Sequence, residues 1–275
     1  NNAFRQKLLF EAMEWKAPVF AHIPLIHGLD GAKMSKRHGA ISVEAYRDLG
    51  YLPEAMRNYL LRLGWSHGDD EIIPTEKAID WFNLDNIGKS PARFDFDKLD
   101  HINQHYIQEA SGDELFSLSH DLYEQICGVT PDTEAKAMII TCLDAFKERA
   151  KTLVHFVEET SFFAKSIPYD FDDKAGKTLN NAEAVQVLET LRTAFEDLND
   201  FTPETVEATC RNVAKELCEG KLGKVGMPLR AAITGRTASP SVFLIVSVLG
   251  QERACKRLDY AISNFASQEN TAASN

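Results

Sequence analysis

The sequence predicts a mainly α-helical chain, and three observations carry that prediction. From Asp95 onward apolar residues recur every three or four positions almost without interruption, the spacing of one buried helix face. Helix-start signals precede these runs: Pro53, the Ser111/Glu114 capping-box spacing, Thr130-Pro131 and Thr202-Pro203. Only one stretch, Phe20 to Ile26, reads as a short buried strand, with Pro24 inside it.

The elements follow in order. Phe4, Leu8 and Ala12 space a first helix that Pro18 brings to an end. After the strand, Ser42 caps a helix through Leu49, closed by Gly50, and Pro53 opens the next, with Met56, Leu60 and Leu63 along one face before Gly64. Trp65 to Asp70 is a turn, Pro74-Thr75 starts a helix to Phe82, and Lys89-Ser-Pro91 is a break. Leu99, Ile102 and Tyr106 share a face, as do Leu115, Leu118, Leu122 and Ile126. Thr130-Pro131 begins a longer helix striped by Met138, Cys142, Phe146 and Leu153. The Asp-, Lys-, Pro- and Gly-rich segment 161–177 is expected to be a linker. Beyond it come a helix with Ala184, Leu188, Leu191 and Phe195, another with Val206, Cys210, Val213 and Leu217, a glycine-rich loop (Gly220, Gly223, Gly226), and two closing helices over 240–249 and 252–265.

A length of 275 residues accommodates two domains, and 44% hydrophobic with 26% charged residues is the composition of a globular chain. No apolar run reaches the roughly 20 residues that span a bilayer, and the first residues carry no secretory signal, so a cytoplasmic location is expected. The five cysteines (Cys127, Cys142, Cys210, Cys218, Cys255) are odd in number, widely spaced and without a Cys-x-x-Cys pair, which excludes a disulfide framework or zinc knuckle and predicts buried thiols. The net charge of −11 is unevenly spread. Residues 95–134 hold ten acidic groups against one lysine, whereas residues 215–236 carry five cations (Lys215, Lys221, Lys224, Arg230, Arg236) against two glutamates. That segregation leaves room for local phosphate contacts.

One loop departs from the acidic background. Gly28-Leu-Asp-Gly-Ala-Lys-Met-Ser-Lys-Arg-His-Gly-Ala40 places Lys33, Lys36, Arg37 and His38 within six residues between glycines. Glycine admits close backbone approach and lysine supplies a point charge suited to phosphate oxygens, so the ligand expected is a polyphosphate or a nucleic-acid backbone. Most charge-rich glycine loops are solvated turns, but Met34 sets an apolar side chain among the cations.

The order Lys33-Met-Ser-Lys36 resembles the second ATP-binding motif of class I aminoacyl-tRNA synthetases. The flanks narrow the resemblance to bacterial glutamyl-tRNA synthetase: Ala21-His-Ile-Pro-Leu-Ile26, Tyr46-Arg-Asp-Leu-Gly-Tyr-Leu-Pro-Glu-Ala55, Asn58-Tyr-Leu-Leu-Arg-Leu-Gly-Trp-Ser66 and Lys224-Val-Gly-Met-Pro-Leu-Arg-Ala-Ala-Ile-Thr-Gly235. It runs over nearly the whole chain. It implies the end of a class I nucleotide-binding fold (residues 1–30), a lysine loop and stem-contact region (31–94), and two α-helical anticodon-binding subdomains (95–172 and 173–275). The helical second half sets the chain apart from the relative that charges glutamine, which ends in β-barrels.

By the same resemblance, Lys36 contacts ATP with Lys33 as its catalytic partner, flanked by Met34, Ser35 and Arg37; Arg37 is left between RNA and the loop's own carbonyls. A cation there stabilises the charge that builds on departing pyrophosphate. The family's His-Ile-Gly-His signature is absent, since His22-Ile-Pro24 lacks the glycine and the amide. The expectation is therefore a C-terminal portion of a glutamate–tRNA ligase, inactive alone, whose full-length parent uses ATP, Mg²⁺ and glutamate; no cofactor is expected on this portion. The alternative is a free-standing tRNA-binding module.

Lys147, Arg149 and Lys151 by themselves read as a solvated helix face; the resemblance implies that this helical region approaches the anticodon loop, where Arg149 contacts a base through its planar fork, with Lys147 and Lys151 beside it for phosphates. Lys224 and Arg230 are further RNA candidates, although Gly223 to Arg230 also reads as a helix-joining turn with Met227 and Leu229 packed inside. Trp65 and Tyr106 read as core aromatics more than as stacking platforms. His101, His105 and Glu109 stand four residues apart, yet without a fourth ligand they predict no metal. The partner expected is tRNA for glutamate, with tRNA for glutamine left open, on a monomer away from membranes.

Overall fold

The computed structural model describes residues 2–34 and 42–266. The chain forms two compact units, the first from residues 1–48 and 53–103, the second from 49–52 and 104–275. Among the described residues there are fifteen α-helices and two short strands.

The first unit contains α1 (Asn2–Ala12), β1 (Ile26–His27), α2 (Val43–Asp48), α3 (Pro53–Gly64), α4 (Thr75–Trp81), β2 (Ala92–Arg93) and the start of α5 (Phe96–Glu109). Its core is aromatic. Tyr46, Tyr59, Trp65 and Phe94 are buried, with the Tyr59 and Phe94 rings edge-on at 4.9 Å. The Tyr59 hydroxyl accepts from the Asp95 amide at 2.6 Å and donates to its carbonyl at 2.9 Å, tying α3 to the entry of α5. Asn58 performs the same service polar-side-in, donating to Glu71 O and accepting from Ile73 N, both at 2.9 Å. Buried amides and hydroxyls persist in cores only with such partners.

Two expectations are corrected here. Residues 20–25 are not a strand: only Ile26 and His27 pair, in parallel register with Ala92 and Arg93, and Ile23 and Leu25 are exposed. An apolar run marks a strand only where the ladder has a partner, and among the described residues β2 is two residues long. The buried face of α3 is Ala55, Met56, Asn58 and Tyr59, whereas Leu60 is 45% exposed; tyrosine and asparagine displaced the leucines because their polar tips found partners. Trp65 is buried as expected, its indole donating to Asn83 O at 3.0 Å.

The second unit is all helix: α6 (Gly112–Cys127), α7 (Thr133–Thr141), α8 (Leu143–Lys147), α9 (Leu153–Thr160), α10 (Asp173–Leu179), α11 (Ala182–Glu196), α12 (Pro203–Leu217), α13 (Leu222–Thr234), α14 (Val242–Leu249) and α15 (Gln251–Ala266). Ser111 caps α6 as its capping-box spacing predicts, and Thr202 and Thr205 exchange reciprocal bonds at the start of α12. Each such cap contributes about 1 kcal/mol. α6 packs on α9, where the Tyr123 and Thr160 hydroxyls meet at 2.6 Å; α11 packs on α12, α13 and α15 around Leu188, Leu191, Phe195 and Leu258. Burial of each of these large side chains is worth roughly 1.5–3 kcal/mol.

Several local expectations change in this unit. The stripe on α6 is Leu115, Phe116, Ser119 and Tyr123, with Leu118 and Ile126 exposed. The single long helix after Pro131 is three: Asp132, not Thr130, caps α7, the backbone turns at Cys142, and Thr152 starts α9 afresh. Segment 161–177 is no linker. Phe162, Phe163 and Tyr169 are buried, and the close of the segment is pinned to the end of α13 by Asp172 N donating to Gly235 O at 2.9 Å. The glycines Gly223 and Gly226 lie inside α13; the turn that reverses the chain is Glu219-Gly220. Leu229 is buried, but Met227 is 39% exposed.

Three of the five cysteines are buried and two half-buried, all as free thiols; burial pushes Cys142 up to about 11 and Cys210 up to about 12. No described helix is long and apolar enough to cross a membrane.

Candidate functional site

In the first unit the lysine loop leaves a tight hairpin. His27 and Lys33 form an antiparallel bridge, Gly28 N donates to Ala32 O at 2.9 Å, and Met34 N donates to Ile26 O at 3.0 Å. Gly31 makes the reversal at φ +77°, and the Asp30 carboxylate accepts from Ala32 N at 3.0 Å to hold it. The Phe94 amide donates to His27 O at 2.8 Å, so the hairpin stands on β2. Lys33 is exposed at its end and Met34 half-buried. Ser35, Lys36 and Arg37 lie outside the described residues. The chain is described again at Ser42, whose hydroxyl accepts from Ala45 N at 3.4 Å at the start of α2.

In the second unit, two arginines that the sequence separates by 81 positions converge. Arg149 follows α8, and its guanidinium grips both oxygens of Glu159 on α9 at 3.2 Å while donating to Ser239 O at 3.3 Å. Arg230 on α13 donates to Ser239 Oγ at 2.9 Å and to Pro240 O at 3.4 Å. Burial first, and then the charge of Arg149, hold the Arg230 guanidinium below its ordinary value. Two planar forks thus flank one turn, and the Arg149 side chain is 41% exposed while its carboxylate partner is 11% exposed.

Glu159 also receives His155 Nε2 at 3.5 Å. Burial alone would raise the Glu159 carboxyl, but His155 and Arg149 hold it below its ordinary value; the bond to Glu159 raises His155 against the effect of its own burial. Neither Glu159, His155 nor Ser239 was among the residues the sequence singled out. The one sequence signal was the i, i+4 spacing of His155 and Glu159 on a helix, which marks a pair without saying what it orients.

The remaining cations divide. Lys224 is exposed on α13, 3.4 Å from Glu183, and Lys151 is exposed. Lys147 is turned inward: it is 8% exposed and its ammonium donates to Ala110 O at 2.5 Å. That side chain closes the C-terminal end of α5 and is not available to a phosphate, a correction to its expected role. His105 meets Glu109 at 3.4 Å, His101 is exposed, and no group of three or more His, Cys, Asp or Glu side chains with metal-binding geometry occurs among the described residues.

Residues 1–101 match the family model for the catalytic domain of class I tRNA synthetases (E and Q), and residues 100–262 match that for an anticodon binding domain. The chain is similar to glutamate–tRNA ligase 2 of Paramagnetospirillum magneticum, at 47% identity over 272 residues covering 99% of this chain and 57% of that protein. It is similar to glutamate–tRNA ligase 2 of Parvibaculum lavamentivorans at 51% identity over 257 residues, 94% of this chain and 52% of that protein. A crystal structure of a glutamate tRNA ligase from Elizabethkingia meningosepticum in complex with its amino acid aligns at a TM-score of 0.73 and 31% identity, over 94% of this chain and 54% of that one. The chain spans about half the length of the curated relatives it matches.

Proposed function

The chain belongs to the class I glutamyl-tRNA synthetase family, and from that membership we propose that it is the tRNA-holding part of an ATP-dependent glutamate–tRNA ligase. The observation that carries this reading is the convergence of Arg149 and Arg230 on the Ser239-Pro240 turn. A guanidinium held at one edge by a carboxylate keeps its remaining N–H groups and both faces in a fixed plane, the geometry that suits an unpaired base. Arg149 reads an anticodon base, and Lys151, Lys224 and Arg230 steer the phosphates around it. Residues 95–172 and 173–275 act as the two anticodon-facing subdomains, and residues 31–94 face the stem. The partner is tRNA for glutamate, with that for glutamine as a second substrate to be tested, and the protein works as a cytoplasmic monomer.

Lys33 and Lys36, with Met34, Ser35 and Arg37, serve the nucleotide. The hairpin on β2 fixes where Lys33 stands, and positive charge from the lysines favours the state in which pyrophosphate departs. ATP and glutamate would be the substrates of the full-length ligase, where bound Mg²⁺ would supply further neutralisation of the phosphates. The sequence holds no His-Ile-Gly-His signature, so the 275-residue chain by itself binds tRNA without charging it.

Filter binding of tRNA to this chain across a salt series tests the reading. Wild type loses affinity steeply with salt, Arg149→Ala lowers affinity about tenfold or more, and each phosphate-contacting cation removed reduces the slope by about 0.7 to 0.9. Affinity that ignores both salt and Arg149 would remove the RNA reading. For the nucleotide, Lys36→Ala in the full-length ligase should depress adenylate formation far more than glutamate binding.

A further inference from the structure

Outside the arginine pair, the second unit has a cleft of about 300 Å³ in which cations dominate although the whole chain is acidic. Lys165, Arg253, Lys256 and Arg257 line it, against a single lining carboxylate, Asp132. That carboxylate is already engaged, accepting from Ala135 N at 2.7 Å as the cap of α7. Among the lining residues, Arg257 is 5% exposed and donates to Ile233 O at 2.5 Å, Phe162 O at 2.6 Å and Lys165 O at 2.8 Å. The rings of Tyr169 and Phe162 lie 5.0 and 6.0 Å from its guanidinium carbon.

Carbonyls and rings satisfy the geometry of Arg257 but leave its full positive charge in place, and among the described residues no acidic side chain pairs with it. Arg253 pairs with Glu134 and Lys256 with Glu252; both carboxylates are more than 60% exposed, so these pairs are weak and exchange readily. Lys165 is half-buried and its ammonium has no partner among the described residues. The cleft therefore brings together a fixed buried charge, an uncommitted lysine, two cations with replaceable partners, and Ser166 among its lining residues.

We propose that this cleft is an anion site for a phosphoryl group, with Lys165 as its principal contact and Arg253 and Lys256 closing over the remaining oxygens. The compact ammonium and planar guanidinium donors match tetrahedral phosphate oxygens, and charge-assisted bonds of this kind are about twice as strong as neutral ones. A carboxylate ligand would use fewer of these donors. The phosphoryl group has two possible sources, a free phosphate or pyrophosphate and a phosphodiester of bound RNA, and one set of titrations separates them.

Inorganic phosphate and pyrophosphate are titrated calorimetrically into the 275-residue chain at constant ionic strength, beside Lys165→Gln and beside Lys174→Gln, an exposed cation outside the cleft. Lys165→Gln keeps the main-chain carbonyl that Arg257 uses, and its far-ultraviolet melting curve is recorded to show that the fold is kept. A saturable single site weakened about tenfold or more by Lys165→Gln and unmoved by Lys174→Gln supports the proposal. If tRNA affinity falls by the same factor in Lys165→Gln, and saturating phosphate competes with tRNA, the group belongs to RNA; if tRNA affinity is unchanged, it is free phosphate. Phosphate binding equal in wild type and Lys165→Gln, or no saturable phosphate binding together with unchanged tRNA affinity, overturns the proposal.

Discussion

Gly235 closes α13 in the left-handed region at φ +72°, and a Cβ built there lies 2.6 Å from Asp170 O, a main-chain atom that cannot rotate away. Gly235→Ala therefore combines three costs. The left-handed backbone disfavours alanine by about 1 kcal/mol. The contact forces a backbone shift, worth roughly another 1 kcal/mol by analogy with overpacked cores. The shift strains the Asp172 N–Gly235 O bond of 2.9 Å, worth about 1 kcal/mol. Together they amount to about 3 kcal/mol, which lowers the melting temperature of a unit this size by roughly 6–12 °C. Gly128 provides the control: its φ is +63°, but a Cβ there meets nothing within 4 Å, so Gly128→Ala bears the backbone cost alone, about 1 kcal/mol and roughly 2–4 °C. Calorimetric melting of the three proteins measures both. Equal shifts for the two variants would mean that the close approach of 170–172 to α13 is not what demands glycine.

Two further outcomes follow from the cations. Lys147→Ala should destabilise the second unit, because Ala110 O loses its buried donor, by about 1–3 kcal/mol in urea unfolding, while leaving the salt slope of tRNA binding unchanged; Lys224→Ala should do the reverse. The His155–Glu159 contact makes stability depend on pH from both sides. His155 is raised above its ordinary 6.5, so its contribution is complete below that pH and is lost as pH rises through the folded value. Glu159 is lowered from its ordinary 4.5, so its contribution is present above that pH and is lost as pH falls through the folded value. The pair therefore stabilises most between 4.5 and 6.5, by about 1 kcal/mol after allowance for the 40% exposure of His155. Glu159→Gln should flatten both flanks of the stability–pH curve, and an unchanged curve would show that the contact carries no such weight.

Helix existence was legible from periodicity and caps because both are local; which face a helix buries was not. On α3 and α6 the expected stripes kept Met56 and Leu115, but Leu60 and Leu118 gave way to Tyr59 and Tyr123, whose rings fill the core and whose hydroxyls reach Asp95 and Thr160, partners 36 and 37 residues away. Gly223 and Gly226 read as loop because glycine weakens an isolated helix, and packing of α13 against α10, α11 and α12 overrides that weakness. Segment 161–177 has the composition of a linker, yet its aromatic residues are buried and Arg257, far along the chain, gathers its carbonyls. At the site, Arg149 and Arg230 were found from the sequence as separate candidates. That they share Ser239, and that Glu159 orients one of them, depends on contacts between helices that no local pattern encodes.

The two deeply buried thiols, Cys142 and Cys210, give the second unit a built-in reporter. Shielded by apolar neighbours and held protonated well past neutrality, they are inert to an alkylating reagent while the helices around them stay closed. Each modification at those sulfurs therefore counts an opening event. Because one follows α7 and the other lies within α12, their separate labelling rates reveal whether the bundle parts as one body or in pieces.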